Sequence, residues 1–215
     1  MKVAIIGTGN VGAALGSSLL KAKHSVIVTS ADPAKAGDVA DRIGASVAGT
    51  PLEAATTAEA IVIAVPWGAA EDVARAIAPA TNGKLVIDAT NPLRPDYSGL
   101  ATADGPSGGE RIAAILATAR VVKGFNTLFA GVQGDPDSLG TMLDALFATD
   151  DDEAAAAFAT LATSVGFRPV RVGPLAAARE LEAMAWLNIR LQILSNGKWQ
   201  SSYVLVNPPE TALAA

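Results

Sequence analysis

The chain contains no cysteine and a single histidine, His24, in 215 residues. The first absence removes disulfides, thiolate nucleophiles and iron–sulfur ligation together, and fits a reducing compartment. With only one imidazole besides, the usual ligands of a transition metal are missing, so no metal site is expected. An excess of positive charge is also missing. Sixteen Lys and Arg stand against 21 Asp and Glu, a net charge of -5 with no compensating basic run, which argues against a nucleic-acid surface. No apolar run reaches the roughly 18 residues of a membrane-spanning helix. Lys2 enters an apolar strand at once, without the charged and apolar regions of a leader. The expectation is a cytoplasmic protein whose partners are small molecules or protein, with no membrane and no nucleic acid. Half of the residues are hydrophobic, enough for a sizeable core.

What is present is concentrated at the amino-terminal end. From Lys2 to Gly12 an apolar strand runs into Gly7-Thr8-Gly9-Asn10-Val11-Gly12 and then into an Ala/Leu-rich helix. In a Gly-x-Gly-x-x-Gly turn of this kind the first glycine permits the tight strand-to-helix turn. The second lets the backbone approach a pyrophosphate, and the third lets the helix lie against the strand. The phosphates rest on the helix N-terminus, whose free N–H groups and dipole favour an anion. A second strand, 25–29, follows at the spacing of a βαβ unit.

Strands at 2–6, 25–29, 45–48, 60–65, 84–88 and 120–123 alternate with helices at 10–22, 33–43, 52–58, 67–78 and 108–118. The last of these helices is opened by a Ser107 to Glu110 capping box. The alternation predicts an α/β fold, a Rossmann-type, doubly wound, mostly parallel sheet. A smaller carboxy-terminal α/β portion is expected beyond it: a strand at 144–149, a helix at 152–165, a strand at 168–172 and a long helix from Pro174 to Ser195. Asn196-Gly197 stops that helix. The reading divides the chain into a dinucleotide-binding domain, 1–124, and a substrate and dimerisation portion, 125–215. The Gly-, Pro- and Ser-rich loop from Arg94 to Gly109 is expected to act as a lid.

The choice of dinucleotide lies at the end of the second strand, where an acidic residue would bind the ribose hydroxyl of NAD. Here the chain reads Thr29-Ser30-Ala31-Asp32-Pro33-Ala34-Lys35. Asp32 before Pro33 has the arrangement of an N-cap followed by a first-turn proline. That leaves Ser30, Lys35 and the first-turn N–H groups as a modest phosphate pocket and favours NADP over NAD.

Six separated motifs now stand in order: Gly7 to Gly12, Ser30, Ala64-Val65-Pro66-Trp67, Asp88-Ala89-Thr90-Asn91-Pro92, Val121-Val122-Lys123-Gly124-Phe125-Asn126-Thr127, and Val165-Gly166-Phe167 with Gly173-Pro174-Leu175. Together they resemble the NADP oxidoreductases that include the NADPH-dependent reductases of the deazaflavin coenzyme F420. The resemblance implies reversible hydride transfer between NADP(H) and a second redox carrier, F420 or a flavin, stacked on the nicotinamide. The chain departs from members close to the archaeal enzyme at Ala31, where they carry Arg.

The remaining candidates are ranked by position, because ligands of open parallel sheets bind beyond the carboxyl ends of the strands. Val65, Pro66 and Trp67 border the cofactor in this reading, and Thr90, Asn91, Asn126 and Thr127 serve the nicotinamide or the acceptor ring. Lys123 is the candidate for a charge near the acceptor, with Asn126 beside it. Asp88 is read as a buried cap. His24 lies at the far end of the sheet and is assigned a structural role, which removes the His–carboxylate pair of a hydroxy-acid dehydrogenase. Transfer to a deazaflavin or flavin asks mainly for positioning. Two alternatives stay open: reduction of a small imine or ketone with Tyr97, Tyr203 or Lys123 as proton donor, and a non-catalytic NADP(H) sensor. In the last helix, Leu175, Leu181, Met184, Leu187, Leu191 and Leu194 form one apolar stripe, with Trp186, Ile189 and Ile193 on further faces. The expectation is a helix packed both on its own sheet and on a second subunit, in a homodimer.

Overall fold

A computed structural model describes residues 1–213. Eight strands form one sheet in the order β3-β2-β1-β4-β5-β6-β7-β8. They are β1 (Lys2–Ile6), β2 (Ser25–Thr29), β3 (Ser46–Val47), β4 (Ala60–Ile63), β5 (Leu85–Asp88), β6 (Arg120–Gly124), β7 (Asp144–Ala148) and β8 (Arg168–Gly173). The pairs from β3 to β6 are all parallel, as expected of a doubly wound sheet. β7 lies antiparallel to β6 and parallel to β8, so the last two strands run against the first six.

Val3, Ile5, Val62, Ile87 and Val122 pack on one face of the sheet with Leu15 and Leu19 of α1 (Asn10–Lys21) and Phe158 of α7 (Asp152–Ser164). Ala4, Ile6, Ile61, Ile63 and Val86 pack on the other face. There they meet α3 (Pro51–Thr57), α4 (Trp67–Ile77) and α5 (Gly108–Ile115). Burial on both faces is the reason these strands read as continuous apolar runs rather than alternating ones.

Most helix ends fall where local chemistry places them. Asp32 caps α2 (Pro33–Ile43), Thr50 caps α3, and Ser107 with Glu110 forms the capping box of α5. α6 (Ala130–Gly134) and α9 (Glu210–Leu213) were not expected from the sequence. The final long helix, α8 (Ala178–Ser195), begins later than the sequence suggested, because a 3-10 turn occupies Leu175–Ala177. Asn196, in the left-handed region, ends it as expected.

A buried ionic cluster ties the second half of the sheet to these helices. Lys123 on β6 is fully buried, with its Nζ 2.8 Å from Asp88 Oδ2 on β5 and 3.0 Å from Glu182 Oε1 on α8. Glu182 also accepts the Gly108 and Gly109 N–H groups at 3.1 Å each, so its carboxylate sits on the N-terminus of α5, where the helix dipole favours it. Asp88 accepts the Thr90 N–H and hydroxyl, and Lys123 donates to the Thr90 carbonyl at 2.7 Å. Burial alone would strip the charge from Lys123. The carboxylates of Asp88 and Glu182 outweigh it and hold the ammonium above the usual lysine range.

His24 stands at the opposite end, just before β2, with Nε2 2.8 Å from Ser164 Oγ at the end of α7. Burial, the largest influence on it, pushes its pKa below the ordinary 6.5. Its place at the end of the sheet remote from the strands' carboxyl ends is the one expected.

Two outcomes follow from these contacts. Lys123→Met leaves two buried carboxylates facing each other without their cation and is expected to cost about 3–5 kcal/mol in urea unfolding. A loss below about 1 kcal/mol would contradict the cluster's role. Because the folded-state pKa of His24 is depressed, its contribution to stability is complete above pH 6.5 and is lost as pH falls through the lowered value. Melting temperatures of the unmodified chain and of His24→Asn should therefore diverge most above pH 6.5 and converge in mild acid.

Candidate functional site

The Gly7 turn has the geometry its sequence implies. Gly7 adopts φ +114°, and a side chain on Gly12 would run into the Gly7 carbonyl. Nothing lies within 4 Å of where a Cβ on Gly9 would stand. Gly9 is the N-cap of α1 and supplies no side-chain cap, so the first-turn N–H groups face that open space. Thr8 is buried with its hydroxyl unpartnered. An open approach, an uncapped helix N-terminus and an unpaired hydroxyl fit an anionic diphosphate.

At the end of β2, Thr29 is buried with an unpartnered hydroxyl, and its carbonyl accepts the Gly7 N–H. The Ser30 hydroxyl accepts the Asp32 N–H at 3.3 Å, and Lys35 is exposed. One part of the expected phosphate pocket is corrected here. The Ala34 and Lys35 N–H groups of α2 are taken by Asp32 Oδ1, at 3.0 and 3.3 Å, because Asp32 caps that helix. The Thr29, Ser30 and Lys35 side chains remain available there.

A cleft of about 900 Å³ opens beside the turn. Asn10 and Val11 of α1 line one end. Ala89 and Asn91 after β5 and Asn126, Thr127 and Leu128 after β6 line the floor, and Ile189 and Ile193 of α8 with Trp199 line the far wall. Asn91 and Asn126 clasp each other across the strand ends: Asn91 Nδ2 donates to the Asn126 carbonyl at 2.9 Å, and Asn126 Nδ2 to Asn91 Oδ1 at 3.0 Å. Phe125, fully buried, is held at φ +61°, a conformation that costs a non-glycine residue about 1–3 kcal/mol. Gln133 of α6 holds that turn, its Nε2 donating to the Phe125 and Leu128 carbonyls at 3.1 and 2.8 Å.

Other candidates stand elsewhere. Val65 flanks Gly7, Pro66 is exposed at the start of α4, and the Trp67 ring faces α5, with the Arg111 guanidinium 5.4 Å above it. None of the three lines the cleft. Thr90 is folded back on Asp88, and Lys123 is enclosed in its ion cluster behind the floor. Of the proposed proton donors, Tyr97 lines the cleft from the 94–109 loop, whereas Tyr203 donates to the Met184 carbonyl at 2.8 Å. That loop is anchored by a bridge between Leu93 and Leu100 and by the Thr102 hydroxyl on Glu182.

Sequence reasoning missed Glu182, the Phe125 turn and the 198–200 segment. A signal for the first existed: the buried positions of α8 include 178, 181, 182, 185, 188 and 189, so Glu182 stands in an apolar stripe at i, i+3, i+4 spacing. The expected stripe of leucines divides. Leu175 and Leu181 are buried, while Leu187 and Leu191 are each 52% exposed and Leu194 is 78% exposed. The segment after α8 is pinned across the cleft by side chains of that helix, with Trp199 N–H donating to Gln192 Oε1 and the Trp199 ring set edge-on to Phe129 at 5.3 Å.

The family described as NADP oxidoreductase, coenzyme F420-dependent, matches residues 2–92. The F420-dependent NADP reductase of Methanothermobacter marburgensis is 33% identical over 214 aligned positions, covering 90% of this chain and 93% of that protein. A crystal structure from Arthrobacter sp. FB24, provisionally assigned as an F420-dependent NADP-reductase, superposes with a TM-score of 0.86 at 25% identity, over 96% of this chain and all of the other. A reductive aminase from Aspergillus terreus shares the fold, with a TM-score of 0.67 at 21% identity over 91% of this chain and 63% of its own. The chain belongs to the family of F420-dependent NADP oxidoreductases.

Proposed function

We propose that this protein transfers hydride between NADP(H) and the deazaflavin coenzyme F420 or a flavin-type acceptor. The observation that carries the reading is the continuous cleft running from the uncapped N-terminus of α1, over the Asn91–Asn126 clasp, to an apolar wall on α8. In this reading Gly7, Thr8, Gly9, Asn10, Val11 and Gly12 hold the diphosphate, and Thr29, Ser30 and Lys35 hold the adenosine end. Val65, beside Gly7, borders the cofactor, and Asn91 and Asn126, which line the cleft, set the nicotinamide. The dinucleotide supplies the hydride when bound. The chain's residues orient the two rings and keep water out, with Ile189, Ile193 and Trp199 covering the acceptor side. Residues 1–124 then form the dinucleotide domain, and 125–215 the acceptor portion.

The half-uncovered face of α8, carrying Leu187, Leu191 and Leu194, supports a homodimer formed through that helix. The absence of any helix long and apolar enough to cross a membrane, among the described residues, accords with a cytoplasmic enzyme. The imine- or ketone-reductase alternative is less well supplied. Lys123 is locked in its ion cluster and Tyr203 is held by Met184, which leaves Tyr97, 58% exposed, as the only one of the three on the cleft.

Spectrophotometry separates these readings: NADPH should be oxidised by F420 or a flavin and left untouched by a panel of ketones and cyclic imines. Turnover of the carbonyl panel alone would overturn the assignment, and tight NADPH binding with no turnover of any acceptor would indicate a sensor. In sedimentation velocity the unmodified chain should run as a dimer and Leu191→Glu as a monomer. Identical sedimentation of the two would remove the α8 interface.

A further inference from the structure

Among the described residues, the buried side-chain atoms without a partner include Asn126 Oδ1, and Asn126 is a residue of the cleft lining. Asn126 is 5% exposed, so water does not readily serve that oxygen. The amide cannot turn to relieve it. Its two N–H groups are both committed, to Asn91 Oδ1 at 3.0 Å and to the Leu181 carbonyl of α8 at 3.1 Å. A flipped amide would set oxygen against two oxygens. Asn91 is fixed in turn, because its own Nδ2 is bound to the Asn126 carbonyl. The polarity of the group at this point of the cleft is therefore set by the fold: it accepts and cannot donate.

We infer that Asn126 is a specificity-determining residue that selects a ring-bound N–H donor. Two groups of the proposed ligand pair have this chemistry, the carboxamide of the nicotinamide and the imide N–H of a flavin-type acceptor. A ligand presenting a carbonyl or an ether oxygen there leaves the acceptor unpaired and adds lone-pair repulsion, whereas an N–H donor satisfies a group that the folded chain leaves without a partner. The inference rests on the dinucleotide reading proposed above and adds to it the hydrogen-bonding sense required of the bound ring.

The test is calorimetry on the unmodified chain in two arms. The first compares NADPH with its 3-acetylpyridine analogue, which keeps the carbonyl and lacks the N–H. The second, with NADP bound, compares riboflavin with 3-methylriboflavin. The analogue of whichever ring meets Asn126 should bind about five- to tenfold more weakly than its parent, and Asn126→Ala should bind parent and analogue alike. Parent and analogue agreeing within about twofold in both arms would overturn the inference while leaving NADPH binding intact. No binding of NADPH at all would instead sink the dinucleotide reading itself. If Asn126→Ala fails to fold, the two arms on the unmodified chain still decide.

Discussion

The pairing of Lys123 with Asp88 and Glu182 is the constraint on which the upper half of the molecule depends. Three charged groups, each at most 1% exposed, have been taken out of water, a step that costs several kcal/mol per ion unless every lone pair and proton is met. Here nearly all of them are met, and the partners come from separate elements: the turn after β5, the N-terminus of α5, and α8. The cluster carries one positive and two negative charges. The remaining negative charge is balanced by N–H groups at the start of α5 rather than by a second cation. Thr90 is fixed by the same cluster through both its N–H and its carbonyl, which sets the strand end from which Asn91 reaches into the cleft.

A second constraint is the reversal of the sheet between β6 and β7. In a fully parallel sheet, the chain leaving β6 would cross back over a face to begin the next strand. Because β7 is antiparallel, the connection from 125 to 143 begins and ends at the same edge, the edge where the carboxyl ends of β1, β4 and β5 lie. Asn126, Thr127, Leu128, Phe129, Ala130 and Gly131 of that connection all line the cleft. The left-handed Phe125 marks where the path turns, and Gln133 and Ser18 hold the returning helix, the Ser18 hydroxyl donating to the Gln133 carbonyl at 2.6 Å. The reversal thus brings this connection to the cleft and gives it part of its lining.

What could be read from the sequence was what neighbouring residues decide among themselves. The Gly7 to Gly12 turn, the Asp32 cap, the Ser107 capping box and the stop at Asn196 depend on contacts within a few positions, and they fall where expected. Trp67 illustrates the opposite case. It follows a strand end, as a cofactor contact would, but its ring packs on α5 at Gly108, beneath the guanidinium of Arg111, 44 positions away. The 198–200 segment is invisible for the same reason. Its place is set by Asn188 and Gln192, and each of these would pass in isolation for a solvated helix residue. Glu182 was closest to legible, as a carboxylate in a buried stripe that demands a partner; only the fold shows that the partner is Lys123.

The same distribution of charge bears on how the chemistry is divided between protein and ligand. Proton transfer by a side chain needs a titratable group within reach of the reacting atoms. Among the described residues lining the cleft, Tyr97 and Lys198 are the two with an ionisable side chain, and both are exposed. His24 is at the other end of the sheet, and Lys123 is held charged behind the floor by two carboxylates. A floor built of amides, hydroxyls and apolar groups can orient a planar ring and withhold water from it, but it holds no side chain acidic enough to serve as a general acid. Such a surface suits a reaction in which both reacting rings carry their own redox chemistry, the negative charge left by the hydride spreading over the acceptor ring and its proton coming from solvent, and it is poorly suited to one in which a localised alkoxide must be protonated by a side chain as the hydride arrives.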